Sequence, residues 1–211
     1  MWNIKEMCEI LIESEVRDGI FINLGIGMPT EILNYIPKNI RPIFQSENGI
    51  LGMGEFPKKG EEDPDLINAG KQTVTIEEYG SFFDSANSFA MIRGGHIDLS
   101  ILGAFEVSEN ADIANWSIPN KMIKGMGGAM DLVSSAKRVV VMMDHVSKNG
   151  DTKLVKKCSL PLTGVSVVNK VVTNYGVFEF IEGKLILIKK PHNVSLELIK
   201  ECTDAKFEVN L

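Results

Sequence analysis

The chain has 211 residues, with 28 acidic against 22 basic side chains for a formal net charge of −6, and 44% of its residues are hydrophobic. That is the composition of a globular protein long enough to bury a core without staples, and the acidic balance excludes a broad nucleic-acid-gripping face, which needs clustered Lys and Arg. Three cysteines, Cys8, Cys158 and Cys202, suit neither a disulfide framework nor a zinc site; with no signal pattern and no apolar run of about 18 residues, a cytoplasmic protein without membrane contact is expected.

In chain order, Asn3 can cap a helix whose Ile4, Met7, Leu11 and Ile12 fall at helical spacing, with Glu6 in the first turn and Gly19 beyond its end. Residues 20–24 read as a buried strand. Gly25-Ile26-Gly27-Met28-Pro29-Thr30 follows, then a short helix carrying Ile32, Leu33 and Ile36. A strand at 42–45 leads into Ser46-Glu47-Asn48-Gly49 and the glycine-punctuated residues 50–54, and the charged stretch 58–65 reads as a solvated loop. Further strands are expected at 73–76, 99–107 and 139–143, and a helix at 83–92. Between the last two of those strands lies the glycine-rich stretch 125–132. Strands at 165–172 and 177–188 close the sheet, the second folded at Glu182-Gly183-Lys184, and Ser195 caps a final helix through Cys202. Alternating strands and helices predict one α/β domain over 1–211 with a largely parallel central sheet, to which the terminal hairpin adds antiparallel strands.

Three stretches carry candidate chemistry. In Asn23-Leu24-Gly25-Ile26-Gly27-Met28-Pro29-Thr30, two glycines at a strand-to-helix turn let a ligand approach backbone N–H groups. Glu47 lies 20 residues beyond Gly27, the spacing of a dinucleotide fingerprint, but Thr30 occupies the place of its third small residue. A tight turn without a ligand fits the same residues. Glu47 itself precedes Asn48-Gly49, a pair that favours positive φ and a sharp turn, so its carboxylate stands at the lip of a strand as nucleophile, general base or solvated turn residue. Ser108-Glu109-Asn110-Ala111 repeats three of those four residues without the glycine and reads as surface. Gly125, Gly127 and Gly128 can present consecutive N–H groups to an anion or form a plain turn, and no Lys-Ser/Thr pair makes them a Walker loop. His96, His145 and His192 have no ligand spacing, so no metal site is expected. Lys156 and Lys157 beside Cys158 are expected to lower its pKa, without a catalytic partner. The ten methionines suit core packing, although Met28, Met53, Met126 and Met130 lie within the glycine stretches as candidate pocket lining.

Taken together, residues 23–30, the Ser-Glu-Asn-Gly motif with Gly52 and Gly54, and Gly-Met-Gly-Gly-Ala-Met-Asp-Leu at 125–132 resemble the β subunit of the two-subunit 3-oxoacid (acetate/acetoacetate) coenzyme A-transferases. They are equally similar to the C-terminal half of single-chain succinyl-CoA:3-ketoacid enzymes. Arg93-Gly94-Gly95-His96-Ile97-Asp98, Ile113-Ala114-Asn115-Trp116 and residues 157–163 share the likeness, which runs from about residue 4 to 190. The resemblance implies a three-layer αβα fold and a ping-pong reaction in which Glu47 is the nucleophile and carries a glutamyl-CoA thioester. It implies an oxyanion hole at the Gly128 and Ala129 amides, with Asn23, Gly25, Gly27, Met28, Asn48, Gly49 and Gly127 along the acyl and pantetheine path. The substrates implied are a coenzyme A thioester and a short-chain carboxylic acid such as acetoacetate. No tightly bound cofactor or metal is expected, and the partner is a separate α subunit in an α2β2 assembly. A carboxylate of ordinary pKa near 4.3 is ionised at neutral pH, so this nucleophile needs no general base. Two other readings of Glu47 stand beside it: the proton-transfer base of an α/β isomerase, and part of a non-catalytic subunit that holds an anionic ligand.

Overall fold

The computed structural model describes residues 1–119 and 125–211. Helix α1 (Ile4–Glu15) begins at a capping box: Asn3 Oδ1 accepts the Glu6 N–H at 3.0 Å, and the Glu6 carboxylate accepts the Asn3 N–H at 2.8 Å, satisfying two otherwise unpaired donors. Met7, Cys8, Leu11 and Ile12 form its buried face. Strand β1 (Phe21–Leu24) enters the sheet centre, and Pro29 helps to start the short helix that follows, a 3-10 helix over Met28–Tyr35.

Strands β2 (Ile43–Ser46), β3 (Ile50–Met53) and β4 (Ile76–Phe82) precede helix α2 (Ser85–Arg93) and strand β5 (Leu99–Leu102). Short strands β6 (Glu106–Ser108) and β7 (Ile113–Ala114), helix α3 (Ala129–Ser135), and strands β8 (Arg138–Met143), β9 (Leu154–Val155) and β10 (Lys170–Thr173) come next. The hairpin β11 (Val177–Ile181) and β12 (Lys184–Lys189), helix α4 (Leu196–Glu201) and strand β13 (Glu208–Val209) complete the chain. The main sheet has the order β13-β12-β11-β10-β8-β5-β1-β2-β3-β4. Its centre, β10-β8-β5-β1-β2, is wholly parallel, and antiparallel pairs flank it on both sides. A second sheet runs β7-β6-β9.

Alternation along the strands produces three layers. Ile22, Leu24, Phe44, Ile101 and Met142 pack against α1 and the 3-10 helix, whereas Leu102, Val139, Val141, Val171 and Phe178 pack against α2, α3 and α4. The expected αβα fold is present, with three local differences. The strand expected at 99–107 is two strands in different sheets, because the chain turns away at Gly103 and Phe105 donates to the Ala114 carbonyl. The strand expected at 73–76 runs instead over Ile76–Phe82, since the Val74 and Thr75 amides bond to Leu66 and Glu55. The strand expected from 165 starts at Lys170: Ser166 has φ +53°, and the Val167 and Val168 amides both turn to the Ala111 carbonyl.

At the amino ends of β8 and β10 lies a buried ionic network. Glu15, 8% exposed, accepts from Arg138 Nε at 2.6 Å and Nη2 at 3.1 Å, and pairs with Lys170, 5% exposed. Arg138 also pairs with Glu179. Burial pushes the Glu15 pKa up, but hydrogen bonds and charge from Arg138 and Lys170 outweigh it and hold the carboxyl below the usual range. A carboxyl depressed in the folded state stabilises the fold above its unfolded pKa, and that contribution vanishes as pH falls through the native value. Glu15→Ala strands a buried lysine, so it is expected to cost about 3 kcal/mol at pH 7. Urea unfolding should show the gap to wild type closing toward acid pH.

Candidate active site

Parallel strands β1 and β2 end side by side, and Glu47 is the first residue after β2, in the turn of the β2–β3 hairpin. The Gly49 N–H donates to the Ser46 carbonyl at 3.0 Å with φ +123° at Gly49, and a Cβ there would overlap the Phe83 carbonyl. Glycine is therefore the only residue that makes this turn without strain. Loop 67–69 clamps it from outside: Ser46 Oγ accepts the Ala69 N–H at 3.0 Å, and Asn48 Nδ2 donates to the Ile67 carbonyl at 2.7 Å. From inside, Ser88 of α2 donates its hydroxyl to the Glu47 carbonyl at 2.7 Å.

The Glu47 carboxylate is half-buried and accepts the Gly128 N–H at 3.1 Å, at the start of α3. A Cβ on Gly128 would overlap the carboxyl group, and one on Gly127 would come within 3.2 Å of Oε1. The glycine pair thus clears backbone for direct approach of a carboxylate. Burial is the main cause of an upward shift in the Glu47 pKa; the Gly128 N–H opposes it, and the like charge of Asp131 adds to it. Asp131 accepts from Arg93 Nε at 2.7 Å, and that guanidinium lies 5.5 Å from the Phe89 ring centroid.

The remaining expected residues fall into distinct settings. Gly25 donates to the Ile101 carbonyl at 2.7 Å, and a Cβ on it would stand 3.0 to 3.2 Å from Leu102 and Ile101 atoms, so it closes the ends of β1 and β5 together. Gly27, at φ +92°, caps the 3-10 helix, its carbonyl accepting the N–H and hydroxyl of Thr30. Met28 packs against the α1-side core. Asn23 is buried and donates to the Gln45 backbone and side-chain oxygens. The Ala129 N–H reaches the Met126 carbonyl at 3.2 Å. Glu47, Gly127 and Gly128 are brought directly together, and Gly49 shapes the turn.

Tertiary packing decides the settings of four other residues. Met53 is 3% exposed within the core, not pocket lining. Cys158 is pushed up to about 12 by burial and by the carboxylates of Glu106 and Asp112, while Lys156 and Lys157 are exposed. Glu109 is half-buried and accepts the Lys206 N–H at 2.9 Å, so it is a tether and not a free surface acid. His145 is a core histidine: it is held between Thr173 and Thr203 at 3.0 and 2.9 Å, stacks on Tyr175 and Phe178, and burial lowers its pKa to about 4. Sequence reasoning missed Gln45, Ser88 and the Arg93–Asp131 pair. A glutamine inside Ile43-Phe44-Gln45-Ser46 was the available signal, because an unpaired polar side chain in a buried strand is costly.

A family model described as Coenzyme A transferase matches residues 5–194. The chain is 57% identical over 196 residues to one subunit of the probable succinyl-CoA:3-ketoacid coenzyme A transferase of Bacillus subtilis, covering 93% of this chain and 91% of that protein. It is 52% identical over 197 residues to the mitochondrial succinyl-CoA:3-ketoacid coenzyme A transferase 2A of Rattus norvegicus, covering 92% of this chain but 38% of that one. Its fold is similar to the apoenzyme of an acyl-CoA transferase (YdiF) from Escherichia coli O157:H7, with a TM-score of 0.79 at 18% identity over 99% of this chain and 42% of that one. The same transferase has been solved as a thioester complex with CoA, where the TM-score is 0.73. These matches place the fold in the class of CoA-transferring enzymes. The chain belongs to the coenzyme A transferase family and spans nearly the whole length of its Bacillus subtilis relative.

The raised pKa of Glu47 carries a stability consequence. A carboxyl with a folded pKa above its unfolded value holds its proton more tightly when folded, so ionisation at neutral pH costs stability. Glu47→Gln is expected to raise Tm at pH 7, with the gain fading as pH falls through the native pKa. Thermal unfolding followed by circular dichroism measures it, and an unchanged or lower Tm at pH 7 contradicts the assignment.

Proposed function

We propose that this chain is the β subunit of a CoA-transferase that moves CoA between an acyl-CoA and a short-chain carboxylic acid through a glutamyl-CoA thioester on Glu47. The observation that carries the reading is the half-buried Glu47 carboxylate at a strand end, touching the Gly128 N–H at 3.1 Å. One carboxylate oxygen attacks the thioester carbonyl, giving a tetrahedral oxyanion that expels CoA thiolate and leaves a mixed anhydride. The thiolate then attacks the Glu47 carbonyl of that anhydride and displaces the first acid as its carboxylate. The incoming acid repeats both steps in reverse. Desolvation raises the basicity of the Glu47 oxygen and with it its nucleophilicity, and shields anhydride and thioester from water.

The Gly128 N–H, released from the carboxylate once that group is acylated, becomes a donor for the developing oxyanion, worth about 3 kcal/mol. The Ala129 N–H is a second donor when its 3.2 Å bond to Met126 opens. Gly25, Gly27, Met28, Asn48 and Gly49 lie along the path of the acyl group and the pantetheine arm, whereas Asn23 supports that path from beneath, buried against Gln45. Succinate and a 3-keto acid are the favoured acids, from the names of the relatives, acetoacetate being the 3-keto acid that the sequence resemblance implies, and a companion α subunit in an α2β2 assembly completes the site. Two relatives support the need for a companion: one is named as a subunit and has matching length, and the other is a longer chain of which the match covers 38%.

Incubating the reconstituted complex with succinyl-CoA and then borohydride should modify Glu47 and inactivate the enzyme. Glu47→Ala is expected to lose at least about 10³-fold in kcat. Peptide mapping with label elsewhere, or turnover surviving in the variant, removes the proposal. In the same assay the isolated chain should show no turnover until the companion subunit is added.

A further inference from the structure

Three polar side chains lie in one row across the centre of an otherwise apolar sheet. Register pairs Asn23 of β1 with Gln45 of β2 on one side and Ser100 of β5 on the other, so the pleat directs all three to the face covered by α2. Asn23 is 3% exposed and Gln45 is fully buried. Ser88, on the face of α2 that also buries Ile92, is fully buried against them. Each such group left unpaired costs about 1–3 kcal/mol, and apolar residues would fit the strands better.

The hydrogen bonds have a single direction. Ser88 has one hydroxyl proton and gives it to the Glu47 carbonyl at 2.7 Å, so its oxygen is the acceptor for Gln45 Nε2 at 2.9 Å. That fixes the Gln45 amide with its Oε1 turned to Asn23 Nδ2, which also donates to the Gln45 carbonyl at 3.2 Å. The Ser100 hydroxyl, without a partner among the described residues, stands outside the chain of bonds. The other holds on this turn, at Ser46 and Asn48, come from loop 67–69. Ser88 ties Glu47 itself to the helix layer.

We infer that Gln45 and Ser88 are positioning residues of the transferase reaction: with Asn23 they form a buried strut from the sheet to the Glu47 main chain, setting the carboxylate against the Gly128 N–H. The inference rests on the reading of Glu47 as nucleophile. Among the described residues, the charged group acting on Glu47 is Asp131 on α3, itself paired with Arg93 on α2, and neither is altered by changes in the strut. When the strut is cut, the carboxylate drifts from the N–H that favours its ionised form, and its pKa rises further.

The test is single-turnover acylation by succinyl-CoA across pH, in the complex with the companion subunit. Ser88→Ala should lower the acylation rate about 10- to 100-fold with KM within about twofold, and move the acid limb of the profile to higher pH. Gln45→Met leaves Ser88 its proton and should shift rate and limb in the same direction by less; the double variant should be no worse than Ser88→Ala. Wild-type rates in both variants overturn the inference, as does a lower rate with an unmoved acid limb, the mark of a merely structural role. Should Ser88→Ala not fold, Gln45→Met decides by the same readout. Glu47→Ala run alongside separates the failures: a dead Glu47 variant beside unaffected strut variants sinks only the strut, whereas an active one sinks the nucleophile.

Discussion

The contact between the Glu47 carboxylate and the Gly128 N–H is the interaction on which the rest of the architecture depends. A carboxylate prefers water, and holding one half-buried requires a donor aimed at it and no side chain in the way. Two glycines at 127 and 128 meet both conditions, since any Cβ at 128 would occupy the carboxyl group's own position. The parallel centre of the sheet brings β2 to the same edge as the chain leading into α3, where open α/β sheets place their ligands. The positive φ at Gly49 then turns the chain back so that Glu47 stands at the strand end without being buried under the hairpin.

Two glutamates of contrasting environment stand at opposite ends of this sheet. At the carboxyl ends, a carboxyl has its pKa raised by burial and by Asp131. At the amino ends, Glu15 lies deeper still, yet two cations hold its pKa down. The two glutamates shift in opposite directions because burial and a like charge outweigh one backbone N–H at Glu47, whereas two full positive charges outweigh burial at Glu15. Arg93 pairs with Asp131 and so offsets part of the like charge that Glu47 meets.

Much of this was legible from residue order. Asn3 announces the cap of the first helix, though not the reciprocal bond from Glu6, and Glu47-Asn48-Gly49 announces a turn at a strand end. The hairpin at Glu182-Gly183-Lys184 and the cap at Ser195 lie where turn and helix chemistry put them. Local pattern misleads where tertiary partners override it. Residues 99–107 read as one strand because all are compatible with extended chain; only Ala114, presenting its carbonyl to Phe105, divides them. Cys158 has lysines beside it in sequence, yet it faces Glu106 and Asp112 in space. The role of Ser88 is hidden because a serine in a helix is ordinary, and its meaning comes from a sheet residue 43 positions away.

The separation of the two halves of the site has a kinetic side. Glu47 and its donor are 81 residues apart in the chain, and the strands between and beyond them are inserted side by side, β5 between β1 and β8. Pairings of such long range close slowly, because loop entropy is lost before contacts compensate it. During synthesis the hairpin that carries Glu47 emerges well before residue 128, so its carboxylate lacks the Gly128 N–H until α3 docks. The environment of Glu47 is therefore a late product of folding: a partially folded chain has the glutamate but not the glycine pair that meets its carboxylate.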